Sequence, residues 1–177
     1  MNITPATVVG LRAMGLDVSS LSERVRKAQA VLAKGDPNVF VPFVLRDEET
    51  GRPVLQAPYH REWQDKVSNN KRTVLLAHIE SGKTQQLSIA RSLYELGENP
   101  RLRCVVVSST ADLATKIVRA VQGYITERPE ARMVYPHLVK GTPWTPQAFN
   151  IQSRNGAKDY SFQAIGVGGH ILGARID

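Results

Sequence analysis

Gly82, Lys83 and Thr84 are consecutive, and together they have the groups that hold the phosphates of a nucleotide. The phosphate-binding loop has the pattern G-x-x-x-x-G-K-[ST], and this chain has A-x-x-x-x-G-K-T from Ala77 onwards. In such a loop, backbone N–H groups curl around the phosphate oxygens at the start of a helix. Gly82 lets the backbone approach closely, Lys83 reaches the β and γ phosphates, and the Thr84 hydroxyl ligates Mg²⁺. The alanine at the first position loosens one bend but removes none of these contacts.

The segments on either side of this loop decide between a nucleotide site and a chance Gly-Lys-Thr triplet. TVLLA, at 73–77, is rich in β-branched and aliphatic residues and predicts a buried strand. KTQQLSIARSLYELG, at 83–97, predicts an amphipathic helix that begins at the lysine. Strand, loop and helix in this order are the arrangement that a phosphate loop requires. The alternative is a lysine that caps an ordinary turn.

A second strand and a second helix follow along the chain. RCVVVSS, at 103–109, predicts another buried strand. The helix predicted at 110–127 has a cap at Ser109 or Thr110 and an apolar face of Leu113, Ile117, Val121 and Ile125. Alternating strands and helices predict an α/β fold with parallel strands joined by right-handed crossovers. Beyond this helix we expect a loop at 129–147, two strands around Asn155-Gly156, and a glycine-rich loop at 166–177.

The part of the chain before the phosphate loop is expected to be a helical and extended lead-in. Residues 1–35 predict helical structure, with Gly35 as its end and an apolar face of Leu21, Val25, Ala28 and Leu32. Residues 36–54 contain three prolines and are expected to be extended or irregular. A short helix, introduced by Pro58, is expected in YHREWQDKVSNN.

Several polar and aromatic side chains near the loop are candidates for contact with a nucleotide. Gln64 could read the adenine edge with its amide, while Tyr59 or Trp63 packs on the base. From the residues alone, the ordinary alternative is favoured, in which the aromatics belong to the core or its boundary and Gln64 lies at the surface. His78, inside the loop, is within reach of a phosphate, although a histidine in such a position more often faces solvent.

Composition limits the classes of protein to which this chain belongs. The formal net charge of +7 and the pI of about 9.8 suit a nucleic-acid binder, but also an anionic membrane or an ordinary basic protein. No apolar run approaches the roughly 18 residues that cross a bilayer. The only cysteine, Cys104, excludes an internal disulfide, and the histidines have no zinc-ligand spacing. No serine lies in a nucleophile elbow, so nothing supports a catalytic triad.

Taken together, the motifs resemble the N-terminal ATPase domain of the large terminase subunit of tailed bacteriophages. The similarity covers about residues 38–177 and depends on order as well as on motifs. PYHREWQ resembles the adenine-side motif of that family, LLAHIESGKT its variant phosphate loop, and CVVVSSTADLATKIVRAV the strand and helix that follow. GVGGHILGARID is similar to the glycine-rich, arginine-bearing segment that leads into the family's second acidic motif.

The resemblance implies a set of site residues and cofactors. The cofactors would be ATP and Mg²⁺, with Lys83 and Arg175 as the catalytic cations and Thr84 as the Mg²⁺ ligand. The nucleotide would contact Tyr59, Gln64, His78, Glu80, Ser81, Gly82, Lys83 and Thr84. Many relatives carry an arginine inside the loop, near where this chain has His78 and Ile79, so its charge-stabilising role is left to Arg175 or to a neighbouring subunit.

The resemblance also implies a division into a lead-in at 1–55 and an incomplete ATPase core at 56–177. The fold expected for the core is a parallel sheet of the P-loop NTPase type, flanked by helices. In the family, a strand follows that ends in an aspartate for Mg²⁺ and a glutamate that activates water. We therefore expect this chain to be a fragment of a longer protein, which binds ATP without hydrolysing it by itself.

In the complete protein, hydrolysis would drive the translocation of double-stranded DNA. The resemblance further implies the small terminase subunit and the portal protein as partners, a homo-oligomer on the portal, no membrane association, and the cytoplasm of a bacterial host. Two other hypotheses stay open. One is a helicase-like remodeller of nucleic acid, which GGHILGARID makes less favoured. The other is a non-enzymatic, basic nucleic-acid-binding domain with a coincidental Gly-Lys-Thr.

Overall fold

The structure, a computed structural model, describes residues 18–168 and Ile176. Its first half is helical: α1 is Val18–Ala33, α2 is Pro37–Val44 and α3 is Pro58–Asn69. After the Gly-Lys-Thr loop, a π-helical stretch at Thr84–Arg91 continues directly into α4, Ser92–Glu98. The second half contains β1 at Cys104–Ser108, α5 at Ala111–Glu127, α6 at Pro129–Val134, β2 at Lys140–Trp144, β3 at Ala148–Ile151, a 3₁₀ turn at Gln152–Arg154, and β4 at Phe162–Gly166.

The four described strands form one mixed sheet with the order β1-β4-β3-β2. β1 and β4 are parallel, with Cys104 opposite Phe162, whereas β3 is antiparallel to both β4 and β2. Helices pack against this sheet, α5 against β1 and β4 in particular. The predicted α/β class is therefore confirmed, but the expectation of a parallel sheet holds only for the β1–β4 pair.

The predicted strand at 73–77 is wrong for the described structure. Residues 73–78 have no regular secondary structure, and the Val74 and Leu76 side chains are 89% and 93% exposed. They are also outside the hydrogen-bonded ladders of the sheet. An apolar run becomes a buried strand only where a neighbouring strand and a covering layer receive it. The composition of this run predicted the strand, while the described structure gives it no such neighbour.

Helix α2 replaces the extended segment that its prolines had predicted. Pro37 occupies the first turn, where a helix needs no N–H donor, and the Asp36 carboxylate caps that turn by accepting a hydrogen bond from Asn38 N at 2.8 Å. The turn is also held because Phe40 and Val44 are fully buried in the core. An aspartate followed by a proline at 36–37 is typical of a helix start. The prediction was wrong because it counted the three prolines of the segment and did not consider their positions.

The predicted apolar face of α1 is rotated in the structure, whereas that of α5 is confirmed in part, because Val121 and Ile125 are buried but Leu113 is 45% exposed. On α1, Val25 and Leu32 are 42% and 65% exposed, while Ala30 and Ala33 are buried. On α5, the buried residues are Ala114, Thr115, Val118, Val121, Gln122 and Ile125. Thr110 caps α5 as expected, since its hydroxyl accepts a hydrogen bond from Leu113 N at 3.3 Å. Gly35 has a φ of +84° just beyond α1, which confirms it as the end of that helix.

The core lies between the helices and the inner face of the sheet. Phe40, Tyr94 and Tyr135 form an aromatic cluster, with ring centroids 5.6 Å, 5.7 Å and 6.3 Å apart. Gly97 on α4 lies directly against the Tyr135 ring, where any Cβ would come within 2.1 Å of a ring carbon. This cluster fixes α4, and with it the π-helical stretch that follows the Gly-Lys-Thr loop.

The loop predicted at 129–147 contains a helix and a strand. In α6, Ala131 and Val134 are buried. β2, which contains Pro143, lies at an edge of the sheet, where a proline is tolerated. The two strands expected around Asn155-Gly156 are confirmed as β3 and β4, which pair antiparallel. Among the helices of the described part, none has the length and apolar character needed to cross a bilayer.

Candidate phosphate-binding loop

The backbone of the loop is bent by two residues with positive φ. Glu80 has a φ of +62° and Gly82 a φ of +79°. For Glu80 this conformation is strained, and strain of this kind is concentrated at binding sites. Within the described part of the chain, none of the backbone N–H groups of residues 79–83 donates a hydrogen bond to another residue. Successive free N–H groups in a bend that contains left-handed residues form a concave anion site.

The bend encloses an open pocket of about 530 Å³ in front of the helix start. Its walls are the loop itself and the first residues of the π-helical stretch, namely Ile79, Glu80, Ser81, Gly82, Lys83, Thr84 and Gln85. Thr84 is exposed at this helix start, beside Lys83. The N-terminal N–H groups of a helix have no partner within the helix, and its dipole favours a negative charge. The pocket therefore has the shape and polarity that suit a phosphate chain.

The ammonium group of Lys83 folds back over the loop. Its Nζ donates to Ala77 O at 2.8 Å, to Ser81 Oγ at 3.2 Å and, through a close contact, to His78 O. Ser81 Oγ in turn donates to His78 O at 2.8 Å. Three acceptors match the three donors of an ammonium group, so the charge is satisfied by the loop alone. A phosphate oxygen would have to replace one of these neutral acceptors, and its negative charge adds a direct attraction to the ammonium that a neutral oxygen lacks.

His60, on α3, contacts the backbone of the loop with its imidazole ring. Its Nδ1 accepts from Ala57 N at 3.1 Å, and its Nε2 lies 2.8 Å from Ser81 O, which can only accept. These two partners assign the proton to Nε2 of a neutral imidazole. A Cβ at Gly82 would lie 3.1 Å from this same nitrogen, so a larger residue at that position would push against the ring. Sequence reasoning gave His60 no role, because its partner is a backbone carbonyl more than twenty residues away, which no motif encodes.

Gln64 is placed inside the protein rather than at its surface. Its side chain is 0% exposed, and its Nε2 donates to Gln86 O at 2.7 Å, inside the π-helical stretch. The surface position favoured from the residues alone is therefore wrong. The amide oxygen has Arg91 Nη1 at 3.4 Å. In this conformation the amide fixes the helix behind the loop, and it is not directed at the pocket.

The π-helical stretch itself lies directly behind the loop. Such wide turns are uncommon, and they occur frequently at functional sites. Gln86 is buried, and its Oε1 accepts from Gln56 Nε2 at 2.9 Å, so two amides from the preceding segments bind this stretch. The predicted helix at 83–97 is thus confirmed in position, with its first part wound more widely than an α-helix.

The aromatic residues before the loop form a cluster on α3. The ring centroid of Tyr59 lies 4.3 Å from that of His60 and 5.1 Å from that of Trp63. Trp63 is buried, as expected of a core aromatic, while Tyr59 remains 43% exposed. Tyr59 packs on His60, which contacts the loop at Ser81, so its exposed face is connected to the pocket through this chain of contacts. It is the better placed of the two for packing on a base.

The remaining predicted site residues are His78, Thr84 and Arg175. His78 is exposed, as expected for its ordinary alternative, and its Nδ1 donates to Ile79 O at 2.6 Å. Thr84 is compatible with the Mg²⁺ role, since it is exposed and lines the pocket, and phosphate oxygens and water complete such sites. Across the described residues, no group of three or more histidine, cysteine or acidic side chains is arranged so that it could hold a metal ion. Arg175 and most of the glycine-rich loop at 166–177 lie outside the described residues.

Comparison of the chain with protein-family models, with curated proteins and with solved structures found no match. The functional interpretation therefore depends on the geometry of the loop and on the motifs of the chain.

Proposed function

We propose that residues 77–84 bind the phosphate chain of a nucleoside triphosphate together with Mg²⁺. The observation that carries this proposal is the coincidence, in one open pocket, of unpaired backbone N–H groups, the Lys83 ammonium and the Thr84 hydroxyl at a helix start. Each of these groups recognises anionic oxygen or its metal ion, and a nucleotide phosphate chain satisfies all three at once.

The further proposal is that the nucleotide is ATP and that the complete protein is a DNA-packaging ATPase of the large terminase type. The order of the motifs supports it, from PYHREWQ through the loop to GVGGHILGARID. The net charge of +7 is compatible with non-specific contact to the phosphates of double-stranded DNA. By the same resemblance, the small terminase subunit and the portal protein are its partners in a bacterial host. Hydrolysis needs a group that positions the attacking water, and the proposal assigns none of the described residues to that role.

The first test is the variant Lys83→Ala, titrated with a fluorescent ATP analogue in the presence of Mg²⁺. One charge-assisted hydrogen bond contributes about 1.5–3 kcal/mol, so we expect the affinity to fall about 10- to 100-fold. Tripolyphosphate should compete with the analogue and adenosine should not, because the site recognises phosphates. The matched control is Lys71→Ala, which removes the same charge from an exposed lysine before the loop.

Thermal unfolding separates loss of binding from loss of fold. ATP at a concentration 100 times its dissociation constant should stabilise the wild type and Lys71→Ala by about 2.7 kcal/mol. Lys83→Ala should still unfold cooperatively, with a small loss of unliganded stability from its three loop hydrogen bonds, but should lack this gain. An unchanged ATP affinity in Lys83→Ala would contradict the proposal and favour the basic, non-enzymatic domain with a coincidental Gly-Lys-Thr.

A further inference from the structure

A second cavity, of about 610 Å³, lies between α1 and α6 and shares no residue with the phosphate loop. Its walls come from both helices and from the turn after α6, namely Lys27, Ala30, Val31, Lys34, Arg132, Met133, Val134 and Pro136. We call it the α1–α6 groove. Its volume lies within the range of about 300–1,000 Å³ that is typical of binding pockets.

The charged residues of the groove all have the same sign. Lys27, Lys34 and Arg132 are exposed, and no carboxylate belongs to its walls. Lys27 Nζ lies 2.6 Å from Glu23 Oε1, but both side chains are more than 60% exposed, so this pair is weak. Within the described residues, the side chains of Lys34 and Arg132 have no ion pair or hydrogen bond. Lys34 and Arg132 thus give the groove a positive charge that no described acidic side chain pairs.

The floor of the same groove is apolar. Ala30 and Val134 are each 5% exposed and belong to the core, and Met133 packs against it. At the rim, Val31 is 73% exposed although it is aliphatic. An apolar floor inside a ring of cations suits a ligand that combines both characters. A polyanion without apolar groups would pair with the cations but would leave the apolar floor in contact with water.

The two helices are fixed relative to each other before anything binds. Glu130 on α6 accepts from Arg26 Nη2 on α1 at 3.1 Å and from Arg46 Nη2 at 3.2 Å. The Glu130 side chain is only 12% exposed, so this contact is partly shielded from solvent. Ala33, which is fully buried, allows close packing on this side of α1. A preformed groove does not have to be ordered by its ligand, which favours binding.

We infer that the α1–α6 groove binds an acidic peptide segment of a partner protein, in which an aliphatic or aromatic side chain is flanked by aspartate or glutamate. The apolar residue would enter the floor, and its acidic neighbours would meet Lys34 and Arg132. The groove walls contain no aromatic side chain on which a nucleic-acid base could stack, so a protein segment is favoured over nucleic acid. The first 17 residues of this chain carry one arginine and one aspartate as their only charged residues, so they lack the complementary charge.

The test is a selection of short peptides from a random library on the full chain. It is repeated on the charge-reversed variant Lys34→Glu with Arg132→Glu, and on a control with Lys116→Glu, which alters an exposed lysine of α5. We expect the wild type and the control to enrich peptides with the acidic and apolar pattern, and the reversed variant to lose them. For one such synthetic peptide, the reversal should weaken binding about tenfold or more, and raised salt should weaken it as well. Because all three altered side chains are exposed, circular dichroism and thermal unfolding should show the same fold in each variant.

Four results would overturn the inference. The first is that no acidic and apolar pattern is enriched. The second is that the reversed variant retains the same peptides. The third is that polyglutamate binds as tightly as the selected peptide, since the apolar floor would then have no part in recognition. The fourth is that a DNA duplex, or a peptide of residues 1–17, binds more tightly than the selected peptide and is lost on the same reversal.

Discussion

Replacing Gln64 by alanine distinguishes two roles for the most buried polar side chain near the loop. The PYHREWQ motif assigns its amide to the adenine of a nucleotide, whereas the structure gives that amide to Gln86 O at 2.7 Å. If the structural role holds, Gln64→Ala should destabilise the protein with or without nucleotide. If the amide reads adenine, the variant should change nucleotide selectivity and leave stability almost unchanged.

The expected loss of stability follows from the surroundings of the side chain. Removing the donor leaves a buried carbonyl with one partner fewer, which costs about 1–3 kcal/mol. Loss of the packed side chain, which is 0% exposed, adds about 1 kcal/mol. Arg91 loses a contact of 3.4 Å to Gln64 Oε1 but keeps its bonds to Glu95 and Ser68, so it contributes little. The free energy of unfolding should therefore fall by about 2–4 kcal/mol, which corresponds to a decrease of about 4–16 °C in Tm for a chain of this size.

The assay is urea and thermal unfolding, followed by titration with ATP and GTP analogues. The matched control is Gln29→Ala, which truncates an exposed glutamine on α1 and should change stability by less than about 0.5 kcal/mol. We expect the Gln64 variant to weaken ATP and GTP to a similar degree, through the helix behind the loop. The reasoning is refuted if both variants have equal stability and only the Gln64 variant loses its preference between the two bases.

Two further predictions concern the aromatic cluster behind the loop. Gly97→Ala should lower the free energy of unfolding by about 1–3 kcal/mol, because its Cβ would come within 2.1 Å of the Tyr135 ring. Gly123→Ala is the control, since its Cβ would have nothing within 4 Å and should not destabilise α5. Equal effects of the two variants in urea unfolding would contradict this packing. Burial and the hydrogen bond to Glu98 raise the pKa of Tyr135 above its ordinary value of 10.0, so above about pH 10 the unfolded chain releases a proton that the folded chain retains. The free energy of unfolding keeps the full contribution of this group below pH 10 and should fall by up to about 1.4 kcal/mol per pH unit above it. In urea unfolding at alkaline pH, Tyr135→Phe should make this dependence on pH less steep, and an unchanged dependence would contradict the prediction.

The sequence predicted those parts of the site that depend on neighbouring residues. Gly82, Lys83 and Thr84 are adjacent in the chain, so their meeting at a helix start follows from local geometry, and the structure places them at one pocket. The contribution of His60 could not be predicted in this way. Its contact with Ser81 O depends on how α3 packs beneath the loop, and a backbone carbonyl leaves no trace in the sequence.

Local chemistry alone also determined the α/β class, the C-terminal end of α1, the ends of α5, and the pair of strands around Asn155-Gly156, because caps, glycines and β-branched runs act over a few residues. Tertiary structure decided what depends on a distant neighbour. TVLLA has the composition of a buried strand, yet it is exposed, since burial requires a partner strand that the described fold does not supply. Pro37 and Pro42 lie in a helix because the core accepts Phe40 and Val44. Tertiary contacts also decided which face of α1 is buried, through the contact of Arg26 with Glu130 and the burial of Ala30 and Ala33. In this orientation, α1 forms one wall of the α1–α6 groove.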